Sequence, residues 1–144
     1  MKLDEEKFEL RLKQSLDKQA ITEVLYRYAE GIDTRNWKVL RSCFIDDVAA
    51  DYGDVGKWYS ADAITEAMED LHRDMGHTLH RVGNVLIEFH GDAARSRSYV
   101  HALLNETPEG AKLIQAYGIY RDHFVKKQGV WKISERKFTL IAMR

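Results

Sequence analysis

Apolar residues in the first part of the chain recur at the spacing of an α-helix. With neighbouring residues placed about 100° apart, one face of residues 21–33 collects the side chains of Ile21, Val24, Leu25, Tyr28, Ala29 and Ile32. Asp33 lies on the rim of this face, where the apolar stripe ends. The pattern predicts a helix that is buried on one side and ends in a carboxylate, which faces either solvent or a cavity.

The segment before this helix is highly charged. Its apolar residues Phe8, Leu12 and Leu16 are four positions apart, which predicts a helical arm that packs on the body or on a neighbouring subunit. We therefore expect an N-terminal arm over residues 1–14 and a single domain over residues 15–144.

Two shorter helices follow the main one. Short polar side chains accept hydrogen bonds from the free N–H groups of a helix's first turn. Asn36 is therefore the predicted N-cap of a helix over residues 37–44. For the same reason, Asp17 is the predicted N-cap of the main helix. Ser60 opens a third helix. Its apolar stripe has spacings of three and four and consists of Ile64, Ala67, Met68, Leu71 and Met75.

After the third helix the pattern changes to the alternation typical of strands. Four long strands are predicted over residues 77–89, 93–104, 113–125 and 130–142, after a short one over 48–52. Because the helices come first and the strands follow through short turns, we expect an α+β fold with an antiparallel sheet. A strongly twisted sheet of this kind curls into a half-cone around the N-terminal helices, and its open end is a natural ligand pocket.

Composition and charge argue against several classes of protein. The 144 residues fit one domain, and 22 basic against 23 acidic residues give no positive face for nucleic acid. No run approaches the roughly 20 apolar residues of a membrane span, and the charged N-terminus lacks the apolar core of a signal peptide. We expect a cytoplasmic protein without nucleic-acid or membrane partners. The single cysteine, Cys43, lies among apolar residues, which favours a buried structural thiol.

Asp33 and His80 are the first candidate pair for chemistry. An imidazole has an ordinary pKa near 6.5 and accepts a proton near neutrality. A carboxylate bonded to its other ring nitrogen fixes the tautomer and stabilises the imidazolium, so such a dyad in an apolar pocket is a general base. Spacing alone leaves the alternative open, in which Asp33 caps a turn and His80 lies on the surface.

Tyrosine hydroxyls are the second candidate set. Tyr28 on the helix stripe and Tyr52 at the end of the short strand are the best placed to line a pocket, where a hydroxyl can stabilise a developing enolate. Alternatively, each is a packing residue of the core.

No metal or cofactor is expected. His77 and His80 are three residues apart on a predicted strand, so alternation points them to opposite faces of the sheet. The sequence has no helical His-Glu-x-x-His, no glycine-rich phosphate loop and no dinucleotide fingerprint. The chemistry is therefore expected to proceed without a metal, a nucleotide or a flavin.

Four motifs make the chain similar to a known family. They are YAEGID at residues 28–33, DYG at 51–53, HRVGN at 80–84 and VWKISER at 130–136. Together with weaker matches over about residues 15–138, they resemble the SnoaL-like branch of the nuclear-transport-factor-like superfamily. The resemblance implies a cone-shaped, curved antiparallel sheet wrapped around N-terminal helices, and a homodimer or homotrimer.

The same resemblance implies a reaction. Scytalone dehydratases, bile-acid 7α-dehydratases and hexachlorocyclohexane dehydrochlorinases carry out eliminations with a His–Asp pair in the cone, and Asp33 and His80 match that pair. Tyr28 matches a tyrosine or lysine before the aspartate, and Tyr52 resembles a tyrosine that polarises the substrate carbonyl. We therefore expect a cofactor-independent lyase of the dehydratase type that acts on a small hydrophobic cyclic carbonyl compound.

Four further residues are candidates for the pocket: His101, Arg136, Trp58 and Asn84. His101 falls near a second histidine of the scytalone dehydratases, and Arg136 matches an arginine of the dehydrochlorinases. Strict alternation places Arg136 opposite Trp131, so it reaches the pocket only through a bulge or if the tryptophan faces outward. The alternative functions are a non-catalytic small-molecule binding protein, an isomerase or cyclase of the same fold, and a structural assembly domain.

Overall fold

The computed structural model describes residues 1–144, which form three helices and a six-stranded sheet. The helices are α1 (Lys2–Asp33), α2 (Trp37–Ser42) and α3 (Ala61–His72). The strands are β1 (Phe44–Asp51), β2 (Lys57–Trp58), β3 (Thr78–His90), β4 (Ala93–Asn105), β5 (Leu113–Lys127) and β6 (Val130–Met143). A short 3₁₀ turn, Gly53–Val55, joins β1 to β2. The predicted α+β class is confirmed.

Helix α1 is continuous from the arm into the body. The predicted N-cap at Asp17 is wrong, because the helix begins at Lys2 and passes through that residue. The Asp17 carboxylate instead accepts hydrogen bonds from Trp131 Nε1 at 2.9 Å and from Lys126 Nζ at 3.1 Å, and so ties the helix to β6 and β5. Residues 1–16 are exposed throughout, and the boundary between arm and domain stays a prediction.

The sheet is antiparallel except at one pairing. Its order is β2-β1-β6-β5-β4-β3, and the four long strands form an antiparallel meander. Strand β1 pairs with β6 in parallel, a pairing that the sequence did not predict. The alternation of side chains is the same for both directions, so the sequence pattern could not distinguish them.

The core lies between α1 and the concave face of the sheet. The α1 residues Ile21, Leu25 and Ile32 are almost completely buried there, opposite Phe124 and Ile133 of the sheet. This burial of apolar surface is the main force that holds the helix in the cone.

Close packing of the first two helices fixes where α1 ends. A Cβ atom on Gly31 would lie only 2.9 Å from the backbone nitrogen of Leu40, so only glycine permits this approach of α2. The predicted caps of α2 and α3 are confirmed, because Asn36 accepts from Val39 N at 3.2 Å and Ser60 accepts from Ala63 N at 3.0 Å.

The predicted second helix is two residues too long. Helix α2 ends at Ser42, and Phe44 already begins β1. Cys43 between them is buried, and burial raises the pKa of its thiol to about 11, which fits the expected structural role. No helix of the structure is both long enough and apolar enough to cross a bilayer.

Candidate functional site

Asp33 and His80 are in direct contact at one end of the cone. Asp33 is the last residue of α1, and its Oδ1 lies 2.7 Å from His80 Nδ1 on β3. The other carboxylate oxygen, Oδ2, accepts from the backbone nitrogen of His80, also at 2.7 Å. The two side chains keep 16% and 9% of their surface exposed, so the pair is enclosed but not sealed.

A network of neighbouring side chains holds the carboxylate in place. Thr78 Oγ1 donates to Asp33 Oδ1 at 2.9 Å and accepts from Arg35 Nη1 at 2.8 Å. Arg35 also donates to Ile32 O and Gly76 O, each at 2.7 Å, and so joins the end of α1 to the start of β3. Its backbone φ of 55° reverses the chain directly after the helix. The network therefore fixes the carboxylate before any ligand binds.

The hydrogen bonds decide the charge and the tautomer of the pair. Burial alone would raise the pKa of Asp33, but the hydrogen bonds from His80 and Thr78 outweigh it and lower that pKa. An ionised carboxylate only accepts, so His80 Nδ1 carries the proton that it donates to Asp33. The lone pair of the neutral ring is then on Nε2, which has no protein partner. This arrangement can accept a proton at Nε2.

A second polar group, the tyrosine–arginine cluster, lies deeper in the cone and consists of Tyr28, Tyr52, Tyr120, Asp122 and Arg136. The hydroxyls of Tyr28 and Tyr52 are 2.6 Å apart, and Arg136 Nη1 lies 3.4 Å from the Tyr52 hydroxyl. Burial raises the pKa of both tyrosines, so each is a neutral hydrogen-bond donor. Whichever hydroxyl donates within the pair, the proton of the other one stays uncommitted.

Arg136 is paired and fully enclosed. Its Nε and Nη2 donate to the two carboxylate oxygens of Asp122 at 2.7 and 3.0 Å, and neither side chain is exposed. The guanidinium lies over the rings of Tyr28 and Tyr120, at 4.3 and 3.8 Å from their centroids. Burial opposes its charge, but Asp122 outweighs that effect and holds the pKa of Arg136 above its ordinary value.

A bulge in β6 turns Arg136 inward. Ile133 pairs with Phe124, but Glu135 pairs with the preceding residue, His123, so Ser134 is an extra residue on β6. The extra residue shifts the alternation by one position. Ile133 and Arg136 therefore both face the cone, although their separation of three positions would place them on opposite faces of a regular strand.

The remaining candidates separate into two places. Trp58 is half-buried beside the cluster, with its ring 5.5 Å from that of Tyr52. His101 and Asn84 do not face the cone, which corrects both expectations. They line a cavity of about 530 Å³ on the outer face of the sheet, where His101 stacks on Tyr117 at 4.5 Å between ring centroids.

The physical reason is the strand register. His80 pairs with Ala102, so Ala102 shares its inward face and His101 points outward. Asn84 has a φ of 51° and sits where the register between β3 and β4 shifts, and this bulge places it on the outer surface.

The five best-defined cavities lie away from the dyad, and none is lined by Asp33 or His80. No group of three or more His, Cys, Asp or Glu side chains is placed to hold a metal ion. A ligand that reaches His80 must therefore be small or must displace neighbouring side chains.

His72 is a buried neighbour of the dyad that the sequence interpretation missed. Only 6% of the residue is exposed, although its ring is polar. Its ring centroid lies 5.9 Å from that of His80 and 6.2 Å from that of Trp37. The signal was present in the sequence, because His72 follows Met68 by four positions and continues the apolar stripe of α3.

Three small hydroxyl residues of the concave face were also missed. Thr78 lies two positions before His80, which places both on one face of β3 by alternation. Ser96 and Ser98 lie on β4 beside the cluster, paired in register with Asp122 and Tyr120. Both serine hydroxyls are buried without a hydrogen-bond partner.

Comparison with known proteins places this geometry in a family. Among solved structures, a type 2 hexachlorocyclohexane dehydrochlorinase (LinA) is 24% identical, with a TM-score of 0.83 over 93% of this chain and 91% of that one. A provisionally assigned scytalone dehydratase from Novosphingobium aromaticivorans is 23% identical, with a TM-score of 0.83 over 91% and 88%. An Asp-to-Asn variant of Rv3472, a Mycobacterium tuberculosis protein of unknown function, is 26% identical, with a TM-score of 0.79 over 90% and 74%.

The comparison with curated proteins gave no match. The family model described as the SnoaL-like domain matches residues 13–137, which is most of the chain. These residues include both the dyad and the tyrosine–arginine cluster. The chain therefore belongs to the SnoaL-like domain family.

Proposed function

We propose that the protein is a cofactor-independent lyase that removes water from a small cyclic β-hydroxy carbonyl compound. The observation that carries the proposal is the 2.7 Å contact between Asp33 Oδ1 and His80 Nδ1, which leaves His80 Nε2 as a free base. The names of two structural neighbours, a provisionally assigned scytalone dehydratase and a hexachlorocyclohexane dehydrochlorinase, both denote eliminations, which agrees with this chemistry.

In the proposed reaction His80 Nε2 takes the proton from the carbon next to the carbonyl. The electron pair of that C–H bond forms the enolate and then the C=C bond, while the bond to the β-oxygen breaks. The His80 imidazolium returns its proton to the departing hydroxide, so the products are an enone and water and the ring is neutral again. Asp33 stabilises the imidazolium and holds the ring in the productive tautomer.

The tyrosine–arginine cluster is the proposed site for the carbonyl oxygen. The Tyr28–Tyr52 pair has one uncommitted phenol proton, which can donate to the developing enolate. Arg136 lies over the Tyr28 ring and brings a positive charge to this end of the cone. Asp122 neutralises this charge, so the uncommitted phenol proton is the main proposed stabiliser of the enolate.

Asp33→Asn and His80→Ala test the proposal. We expect kcat for enone formation from 3-hydroxycyclohexanone to fall on the order of 10⁴-fold, because the base is lost or its tautomer is wrong. The controls are Asp70→Asn and His90→Ala, which change the same residue types at exposed positions. Circular dichroism and urea unfolding report whether the variants keep the fold. Full activity in either dyad variant would contradict the mechanism.

A structural assembly domain is the second candidate function. The filled cone favours it, because the main cavities lie outside the dyad and Arg136 and Asp122 have no exposed surface. This function predicts no turnover of any cyclic β-hydroxy ketone. It also predicts that dyad variants change only the free energy of unfolding.

A further inference from the structure

His72 holds one ring nitrogen fixed and leaves the other free. Its Nδ1 lies 2.7 Å from the backbone carbonyl oxygen of Met68. A carbonyl oxygen only accepts, so Nδ1 carries the proton and the neutral ring has its lone pair on Nε2. Burial lowers the pKa of His72, and a charge on the neighbouring His80 acts in the same direction. His72 is therefore a preset hydrogen-bond acceptor.

The free nitrogens of His72 and His80 share one property. Among atoms with no accessible surface, only the hydroxyls of Ser96 and Ser98 lack a hydrogen-bond partner. Nε2 of His72 and Nε2 of His80 also have no protein partner but are not among these fully buried atoms. Each Nε2 atom therefore retains some accessible surface. The ring centroids are 5.9 Å apart, close enough for one small molecule to touch both rings. His72 and His80 therefore both carry their proton on Nδ1, and both lie near the Asp33 carboxylate at this end of the cone.

We propose that His72 Nε2 binds the hydroxyl hydrogen of the substrate, and that the site therefore selects a β-hydroxy compound over a β-halogenated one. This inference rests on the proposed lyase function. A hydroxyl can donate to His72, whereas a halogen has no hydrogen to donate and leaves the acceptor without a partner. Sites that hydrogen-bond a substrate hydroxyl discriminate strongly against analogues that lack it.

The contact also orients the leaving group. When the O–H bond points to His72 Nε2, the oxygen lone pairs are free to turn toward the protonated His80. The proton that His80 took from carbon then goes to that oxygen as the C–O bond breaks, and water leaves. His72 gains and loses no proton in this sequence, so it is a binding residue and not a second base.

Two substitutions separate binding from packing. His72→Asn keeps a donor near the position of Nδ1 but has no atom at the position of Nε2, whereas His72→Gln places an amide near Nε2. With 3-hydroxycyclohexanone as the probe, we expect His72→Asn to lower kcat/KM by about 10²-fold and His72→Gln to retain most of it. With 3-chlorocyclohexanone, measured above its spontaneous elimination, we expect His72→Asn to lower kcat/KM less than about threefold.

Nitrogen NMR of the wild-type imidazoles gives a readout without turnover. We expect 3-hydroxycyclohexanone to shift the Nε2 resonance of His72, and cyclohexanone to leave it unchanged. Equal losses of kcat/KM on both probes, with no hydroxyl-dependent shift, would overturn the role of His72 but leave the dyad mechanism standing. A shift without turnover would support the His72 contact and overturn the lyase. Neither a shift nor turnover would overturn both.

Discussion

The cone of this protein contains two buried polar groups that differ in one respect. In the tyrosine–arginine cluster, Arg136 and Asp122 neutralise each other and neither side chain is exposed. In the dyad, Asp33 and His80 keep 16% and 9% of their surface, and the ring nitrogen that faces away from the carboxylate has no partner. One group satisfies its own charges, and the other leaves a lone pair for a ligand.

This difference separates stability from reactivity. Removal of one partner of a buried ion pair leaves an uncompensated charge. We therefore expect substitutions in the tyrosine–arginine cluster to act mainly by lowering the free energy of unfolding. The fold tolerates the replacement of a partly exposed imidazole. We therefore expect substitutions in the dyad to abolish activity with a smaller effect on the free energy of unfolding. The following predictions test this division.

Arg136→Met has the largest expected effect on stability. It leaves the Asp122 carboxylate buried and unpaired, so we expect the free energy of unfolding to fall by about 3–5 kcal/mol in urea titrations. The double variant Arg136→Met with Asp122→Leu should recover most of this loss, because no charge stays buried. Arg73→Met, which breaks an exposed ion pair with Asp70, is the control and should change little. Equal stability of Arg136→Met and wild type would contradict the comparison.

Tyr28→Phe and Tyr52→Phe show how far the cluster also takes part in chemistry. Removal of the hydroxyl that supplies the uncommitted proton should lower kcat for 3-hydroxycyclohexanone by about 10²-fold. The other variant should change kcat only a few-fold, because the remaining hydroxyl can still donate. Steady-state kinetics of both variants identify the donor. If both retain kcat within a few-fold, the cluster has a structural role only.

Thr78→Val tests the support of the dyad. It removes the donor to Asp33 and the acceptor of Arg35 at a buried position, so we expect a loss of about 1–3 kcal/mol in the free energy of unfolding. Thr78→Ser keeps the hydroxyl and is the matched control. Because both oxygens of Asp33 remain bonded to His80, the loss of kcat should be much smaller than in His80→Ala. A loss of kcat in Thr78→Val as large as that in His80→Ala would show that Thr78 takes part in the reaction itself.

The pH dependence of stability has the smallest expected effect. Burial lowers the pKa of His72 in the folded protein, so the unfolded chain binds its proton more tightly. The free energy of unfolding should be highest above the ordinary histidine pKa of about 6.5 and should fall as the pH drops below it. His72→Gln should remove this part of the slope in urea titrations between about pH 5 and 8. An unchanged slope in His72→Gln would contradict the conclusion that burial lowers the pKa of His72.

The sequence predicted the elements better than the orientation of single residues on them. Periodicity located α2, α3, the four long strands and the end of α1 within a few residues, because burial of one face imposes a regular spacing. It placed the start of the main helix at Asp17, whereas α1 begins at Lys2. Residue chemistry made Asp33 and His80 a candidate pair with an open alternative, and the family resemblance then favoured their meeting in one pocket. Their hydrogen bond depends on how α1 ends against β3, and no local pattern encodes that contact.

The errors have identifiable causes. His101 was expected in the pocket, but the register between β3 and β4 places its neighbour Ala102 opposite His80. Arg136 is not among these errors, because it reaches the cone through the bulge that strict alternation required, with Ser134 as the extra residue. His72 lies four positions after Met68 on the apolar stripe of α3, so its burial follows from the spacing and not from its polar ring.

Hydrogen–deuterium exchange at carbon tests the central claim, that His80 is the base, most directly. Cyclohexanone has α-hydrogens but no leaving group, so proton removal can be followed in deuterated buffer by NMR without elimination. We predict that the wild type and His90→Ala exchange these hydrogens faster than buffer, and that Asp33→Asn and His80→Ala do not. Exchange by His80→Ala at the wild-type rate, or no exchange by the wild type above buffer, would contradict the account.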